Sequence, residues 1–210
     1  MMGLGTAVLL GAMVGWGLHW LSDRWPKQSP APTTRWISGL LMSTGAALFG
    51  ILWQRLGFSS NFAFLATLIT FFLLIAAIDL KHQLIPNSLI LPAVAAMLLY
   101  QFIPLTQGSW WALAGCAAAF LLFAVVRAMT PGGLGGGDVK LAAFLGATFG
   151  LPYLFWALLA GGLVGGGTAV FLLIGPGKNR KQQMPYGPFL CLGGIVALLY
   201  NPLPLLTSLF

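Results

Sequence analysis

The sequence predicts an all-α protein, a polytopic bundle of about eight transmembrane helices that forms a single integral-membrane domain over residues 1–210. Composition is the first reason. Of the 210 residues, 59% are hydrophobic and only 6% are charged, whereas about a quarter of the residues in a soluble domain are charged. The second reason is that apolar stretches recur along the whole chain, with a mean hydropathy of +0.92.

Eight apolar stretches are candidates for membrane-spanning helices, each of which needs about 20 apolar residues. They cover residues 3–21, 37–54, 61–79, 88–104, 110–128, 139–151, 153–174 and 187–206. The sixth stretch is short, because Asp138 starts it and Gly150 and Pro152 mark its end. The glycines at 161, 162 and 165–167 predict close packing of the seventh helix against a neighbour.

The basic residues predict the orientation of this bundle. With eight spans, all of the ten Lys and Arg residues except Arg55 fall in or directly beside loops on one side of the membrane. The positive-inside rule makes that side cytoplasmic, so both termini are expected on the non-cytoplasmic side. The chain is therefore expected to be a multi-pass protein of the bacterial cytoplasmic (inner) membrane, in contact with lipid. No basic run is long enough to bind nucleic acid.

Metal chemistry has few candidate ligands. Cys116 and Cys191 both lie in apolar segments and form no CxxC pair, and His19 and His82 are the only histidines. A thiolate zinc site and an HExxH metalloprotease are both excluded by these counts. We expect no metal and no cofactor.

The acidic residues are the most informative group, because the chain has Asp23, Asp79 and Asp138 and no Glu. Asp79 and Asp138 fall at the cytoplasmic ends of two spans, where an ionisable group costs several kcal/mol unless it is solvated or paired. A structural role is one explanation: Asp79 could pair with Lys81, and Asp138 could pair with Lys140 or cap its helix. Asp23 is expected to serve as a surface ion-pair or helix-end residue beside Arg24.

A catalytic role is the other explanation. The backbone of Gly135, Gly136 and Gly137, directly before Asp138, has no Cβ atoms and would let an extended peptide approach. On the other side, Pro86 lets the backbone reorient after Asp79. Two carboxylates that face each other share a proton, since both cannot easily ionise. The ionised one can take a proton from water while the protonated one donates to a peptide carbonyl.

Three stretches then carry a family resemblance. Residues 79–87 (DLKHQLIPN), residues 135–141 (GGGDVKL) and residues 184–189 (MPYGPF), with Gly193-Gly194 after them, resemble segments of the type IV prepilin peptidases, which are aspartyl proteases of the GxGD class. The resemblance covers about residues 70–200. It implies that Asp79 and Asp138 are the catalytic pair. It also implies that the substrates are prepilins and pseudopilins of pilus or type II secretion systems, cut after a glycine at the end of a short basic leader.

The chain departs from that family in one region. Many members also methylate the new N-terminus and resemble each other in a cytoplasmic loop with two zinc-binding CxxC pairs, which are lacking between the first two spans here. We therefore do not expect methyltransferase activity. Around the aspartates, Gly135–Gly137, Lys140, His82 and Pro86 are candidates for the active-site loops. His82 could orient Asp79 but is better interpreted as an interfacial residue, and Lys140 as one that reaches the headgroups.

Two further functions stay open at this point. The aspartates could form a proton or cation site in a transporter. Alternatively, the chain could be a non-catalytic scaffold for a pilus or secretion assembly. A transporter would lose flux when either carboxylate is replaced, and a scaffold would tolerate both replacements.

Overall fold

The computed structural model describes residues 2–24, 35–103, 109–130, 133–151, 153–174 and 186–200. Within these ranges the chain forms eight α-helices and no strand, which confirms the predicted all-α class. The helices are α1 (Met2–Arg24), α2 (Arg35–Leu56), α3 (Ser60–His82), α4 (Asn87–Gln101), α5 (Ser109–Met129), α6 (Gly136–Phe149), α7 (Leu154–Ile174) and α8 (Gly187–Tyr200).

Four helices are long and apolar enough to cross a membrane, namely Gly3–Arg24, Trp36–Leu56, Ser60–His82 and Trp110–Met129. Shorter apolar helices occupy Asn87–Gln101, Leu154–Thr168 and Gly187–Tyr200. The sixth helix starts at Gly136 rather than at 139, because Gly136 and Gly137 already adopt helical geometry. The part of the eighth predicted span beyond residue 200 lies outside the described residues.

The chain divides into two compact units, residues 1–83 with α1–α3 and residues 84–210 with α4–α8. The prediction of a single membrane domain stays a prediction. In the first unit, α3 packs against both α1 and α2. One face of α3 is fully buried at Leu65, Ile69, Phe72 and Ile75, which recur at the three- and four-residue spacing of a helix. This buried face leads directly to the last turn, which carries Asp79.

In the second unit, α6 contacts α4, α5, α7 and α8. From Asp138 to Phe149, every side-chain position except Lys140 is buried. A Cβ atom on Gly146 would overlap the backbone of Gly115 in α5, so these two helices touch backbone to backbone. Since α6 is enclosed by neighbouring helices, a short apolar helix is stable here and holds Asp138 in the interior of its unit.

Glycines also let α7 approach α8, though fewer of them than the sequence predicted. A Cβ atom on Gly161 would meet the carbonyl oxygen of Phe189 at 2.8 Å, and one on Gly165 would meet the Phe189 side chain at 3.2 Å. The prediction is confirmed at these two positions. It is wrong for the glycines at 162, 166 and 167, which face open space on other sides of α7.

Candidate active site

Asp79 lies in the last turn of α3, and its side chain is buried, with 4% of its surface exposed. The helix ends three residues later, at His82. Gln83 then adopts a left-handed conformation (φ 50°, ψ 40°) and donates its backbone N–H to the Asp79 carbonyl at 2.9 Å. The end of the helix is therefore fixed by a bond to the backbone of Asp79 itself.

Asp138 lies in the first turn of α6 and is 7% exposed. Gly135 precedes the helix in an extended conformation (φ −70°, ψ 148°), and its N–H donates to Asp138 Oδ2 at 3.1 Å. The carboxylate thus accepts from a backbone N–H that has no partner within the helix, and it lies at the positive end of the helix dipole. One of the structural possibilities for Asp138, a capping contact at the start of its helix, is therefore observed, with Asp138 at the third helical position and Gly135 as the N-cap residue.

The glycines before Asp138 make room for side chains of the protein itself. A Cβ atom on Gly136 would overlap the guanidinium of Arg127, and one on Gly137 would lie 2.7 Å from Ile85 Cβ. A Cβ atom on Gly135 would lie 3.0 Å from Asp138 Oδ2. Contact of a peptide substrate with this backbone stays a prediction. The structure gives a second reason for glycine at 136 and 137, namely close packing inside the unit.

Pro86 lies directly before α4 and Lys140 lies near the start of α6, and both helices belong to the second unit. Pro86 precedes α4 in an extended conformation (φ −66°, ψ 127°), and its carbonyl accepts from Leu89 and Ile90 at 3.1 Å each. The Lys140 ammonium donates to Asn87 Oδ1 at 2.5 Å. Lys140 is thus bonded to Asn87 rather than to Asp138, and it joins the start of α6 to the start of α4, while its reach to the headgroups stays a prediction. A role of either residue in substrate binding stays a prediction.

His82 and Lys81 do not turn to Asp79. His82 Nε2 lies 3.1 Å from the carbonyl oxygen of Ser22, and the Lys81 ammonium lies 2.6 Å from Asp23 Oδ1. Asp23 therefore pairs with Lys81 rather than with Arg24, whose guanidinium lies 3.7 Å from the ring centre of Trp20. On a helix, residues two apart point to nearly opposite sides, which explains why Lys81 is not the partner of Asp79.

Two groups of residues near the aspartates were missed by the sequence analysis. In α1, His19 and Ser22 join Asp23 around the Lys81 ammonium. Their spacing of three and four residues on an otherwise apolar helix was the available signal, because it places all three on one face.

Tyr186 was also missed. Its carbonyl starts α8 by accepting from Phe189 N–H at 3.1 Å, and its ring centre lies 6.4 Å from those of Phe123 and Phe189. Burial, and then the negative charge of Asp138, raise the pKa of the Tyr186 hydroxyl above its ordinary value. Tyr186 therefore stays protonated at neutral pH within electrostatic reach of Asp138. Its place in the stretch 184–189 was the available signal.

The structure thus gives each aspartate a defined and buried setting, in different units. Asp79 belongs to the unit of residues 1–83 and Asp138 to the unit of residues 84–210. That the two carboxyl groups act as a pair stays a prediction of the sequence.

Buried aspartates at the ends of helices in a multi-pass all-α protein define a class, that of membrane proteins with ionisable groups at functional positions. The comparison with known families is more specific. The type IV leader peptidase family matches residues 66–170, a segment that contains both Asp79 and Asp138. The chain belongs to this family and is a multi-pass protein of the inner membrane.

Several curated proteins named prepilin leader peptidase/N-methyltransferase are similar to the chain. The one from Bacillus subtilis (strain 168) is 38% identical over 164 residues, which is 74% of this chain and 63% of that protein. The one from Stutzerimonas stutzeri is 33% identical over 176 residues, 81% of this chain and 58% of that protein. The chain thus spans about six tenths of the length of these relatives. No solved structure matches it significantly.

Proposed function

We propose that this chain is an aspartic endopeptidase that removes the short basic leader of type IV prepilins and pseudopilins at the cytoplasmic face of the membrane. One observation carries the proposal. Asp79 and Asp138 are the only acidic residues in the segment that matches the family, and both side chains are buried, at 4% and 7% exposed. A buried carboxylate in a membrane protein is costly, and family membership supplies the function that two of them would serve.

The proposed reaction is hydrolysis of one peptide bond. An ionised aspartate takes a proton from water, and the hydroxide so formed attacks the carbonyl carbon. The protonated aspartate donates to the carbonyl oxygen. The tetrahedral intermediate then collapses as the aspartate that took the proton from water gives it to the leaving amine, and the other aspartate takes a proton back from a hydroxyl of the intermediate. Atoms and charge balance with water as the only co-reactant.

The helix termini place the two acids in different electrostatic settings. Asp138 lies at the N-terminal end of α6 and accepts the Gly135 N–H, and both features favour a negative charge. Asp79 lies in the last turn of α3, where the helix dipole disfavours a negative charge. These features act against the cost of burying the Asp138 carboxylate, and the shared proton belongs to the pair, so neither aspartate is assigned alone as base or acid.

The substrate side of the proposal rests on the relatives and on charge. The relatives are named for prepilin leaders, and the distribution of basic residues predicts that the aspartate ends of the helices face the cytoplasm. Methyl transfer, which appears in the names of those relatives, is not part of the proposal, because the loop between the first two spans has no cysteine.

Purified protein in liposomes, incubated with a prepilin that carries its leader, tests the proposal. The variants Asp79→Asn and Asp138→Asn should each lower cleavage by at least about 10²-fold, the lower range for loss of general acid–base catalysis. The matched control replaces both thiols (Cys116→Ala with Cys191→Ala) and should cleave at the parent rate. Circular dichroism and gel filtration check that each variant is folded.

Each outcome has a defined meaning. Cleavage that survives either Asp→Asn substitution overturns the aspartate mechanism. If the folded parent leaves several prepilins intact, leader cleavage by this chain is wrong and a scaffold or transport role gains support. Loss of cleavage in the double thiol variant alone would point to a cysteine nucleophile instead.

A further inference from the structure

The end of α3 that carries Asp79 is fastened to the end of α1 by polar side chains. We name this cluster the clasp, and its members are His19, Ser22, Asp23, Lys81 and His82. The Lys81 side chain has 0% of its surface exposed. Its ammonium contacts Asp23 Oδ1 at 2.6 Å and Ser22 Oγ at 2.7 Å. His19 adds its Nδ1 at 3.1 Å and its carbonyl oxygen at 3.3 Å.

These contacts define the charge and the tautomer of the cluster. A buried ammonium needs a compensating charge and hydrogen-bond acceptors, and Asp23 supplies the charge. An ammonium can only donate, so His19 Nδ1 must be the acceptor. His19 Nε2 then carries the proton and lies 3.4 Å from Asp23 Oδ2. Lys81, His19 and Asp23 thus form a closed triangle of polar contacts.

His82 adds a second tie from the same turn of α3. Its Nε2 lies 3.1 Å from the carbonyl oxygen of Ser22. Two consecutive residues of α3 are therefore held on the last turn of α1. Two ties on one turn restrain rotation of the helix about its axis, whereas a single tie would act as a pivot.

The geometry of the helix links this restraint to Asp79. Successive side chains are about 100° apart around the axis, so Lys81 points about 200° away from Asp79. His82 points about 60° from Asp79 on the other side, so the contacts of Lys81 and His82 with α1 together set the direction of the Asp79 carboxyl around the helix axis. Side chains extend to about 6 Å from the axis, so a rotation of about 10° moves the carboxyl by about 1 Å.

We propose that the clasp is a positioning device that sets the rotation of the last turn of α3 and so the direction of the Asp79 carboxyl. The link to catalysis rests on the proposed function. A displacement of about 1 Å in a reacting group can lower a catalysed rate by about 10²-fold. The members of the clasp are positioning residues, since they act through Asp79.

Enzyme kinetics form the first arm of the test, with the variants Lys81→Met and Asp23→Asn in the full chain. Each should lower kcat by about 10-fold to 10²-fold with KM unchanged, because the ground-state contacts of the substrate are left intact. The double variant should be no slower than the slower single variant, since either change opens the same clasp. Arg24→Gln, a change of an exposed charge next to Asp23, is the matched control and should keep the parent kcat.

Thiol labelling forms the second arm and needs no activity. In a chain with Cys116→Ala, Cys191→Ala and Asp79→Cys, a water-soluble maleimide should react slowly with the buried thiol at position 79. Adding Lys81→Met should raise the labelling rate about tenfold, because local opening of this turn no longer has to break the clasp. Adding Arg24→Gln instead should leave the rate unchanged.

The two arms separate the possible failures. If the parent cleaves no prepilin, the proposed function fails while labelling still decides whether the clasp positions residue 79. If Lys81→Met leaves the labelling rate at position 79 unchanged, the positioning role is overturned. Raised labelling together with a parent-like kcat overturns its link to catalysis. A fall in kcat that Arg24→Gln reproduces shows a general charge effect and also overturns the proposal.

Discussion

The Asp138 carboxylate accepts a hydrogen bond from the backbone N–H of Gly135 at 3.1 Å. One side chain thus has a structural contact and a proposed chemical role, and substitution can separate the two. The amide oxygen of Asp138→Asn can still accept from Gly135, whereas Asp138→Ala removes the acceptor. We expect Asp138→Ala to lower the free energy of unfolding by about 1 kcal/mol. Asp138→Asn should lower it by less than about half as much.

Both variants should be inactive, because neither can exchange a proton with water. Thermal unfolding in detergent and a prepilin cleavage assay on the same preparations measure the two properties. An Asp138→Asn protein that is as unstable as Asp138→Ala would show that the charge, rather than the acceptor, stabilises the start of α6.

The glycines before Asp138 should differ in their tolerance of a methyl group. In Gly137→Ala the new Cβ atom would lie 2.7 Å from Ile85 Cβ, which cannot move without its backbone. We expect a loss of about 1–3 kcal/mol, typical of overpacking. In Gly136→Ala the obstacle is the flexible end of Arg127, so the change should stay within about 0.5 kcal/mol.

Gly166→Ala in α7 is the control for this pair. A Cβ atom there faces open space, and the higher helix propensity of alanine should stabilise the helix by up to about 1 kcal/mol. Chemical denaturation in mixed micelles ranks the three variants. Equal stability of Gly136→Ala and Gly137→Ala would contradict the packing assigned to Ile85.

Gln83 holds a backbone conformation that suits glycine. Its φ of 50° lies in the left-handed region, where an L-residue other than glycine is strained by about 1 kcal/mol. Gln83→Gly should therefore raise the free energy of unfolding by several tenths of a kcal/mol to about 1 kcal/mol. Gln54→Gly, at an exposed position inside α2, should lower it by about 1 kcal/mol. Thermal unfolding of both variants checks the opposite signs, and a loss of stability in Gln83→Gly would show that the Gln83 side chain has contacts worth more than the strain.

Much of the fold could be predicted because hydropathy fixes where helices form in a membrane protein. A backbone in lipid must satisfy its own hydrogen bonds, so each apolar stretch becomes a helix. The start of α6 was misplaced by three residues, since Gly135, Gly136 and Gly137 look like a loop by composition. Burial of α6 on all sides stabilises helical glycines that sequence propensity disfavours.

The pairing of polar groups was the part that the sequence did not predict. Nearness along the chain suggested Asp79 with Lys81 and Asp138 with Lys140, but residues two apart on a helix do not face each other. The partners Asp23 of Lys81 and Asn87 of Lys140 come from other helices. Such contacts depend on how the helices pack against one another, and hydropathy along the chain does not specify this packing.

Ionisation of Tyr186 should lower the stability of the folded protein at alkaline pH. Burial first, and the charge of Asp138 second, raise the pKa of this hydroxyl above its ordinary value of about 10. Below about pH 10 the phenol is neutral in the folded and the unfolded chain, so it has no effect on the pH dependence. As the pH rises further, the unfolded chain loses the proton first, and the free energy of unfolding falls.

The variant Tyr186→Phe cannot ionise, and it should therefore lose less stability than the parent above about pH 10. Ultraviolet difference absorbance of the parent minus Tyr186→Phe isolates this one group from the other tyrosines. The difference between Asp138→Asn and the double variant Asp138→Asn with Tyr186→Phe isolates the same hydroxyl without the Asp138 charge. This difference should titrate at a lower pH than that of the parent, because the negative charge is gone while the burial remains. Identical titration curves in the presence and absence of the Asp138 charge would contradict the electrostatic contact between Tyr186 and Asp138, and would leave burial as the only cause of the raised pKa.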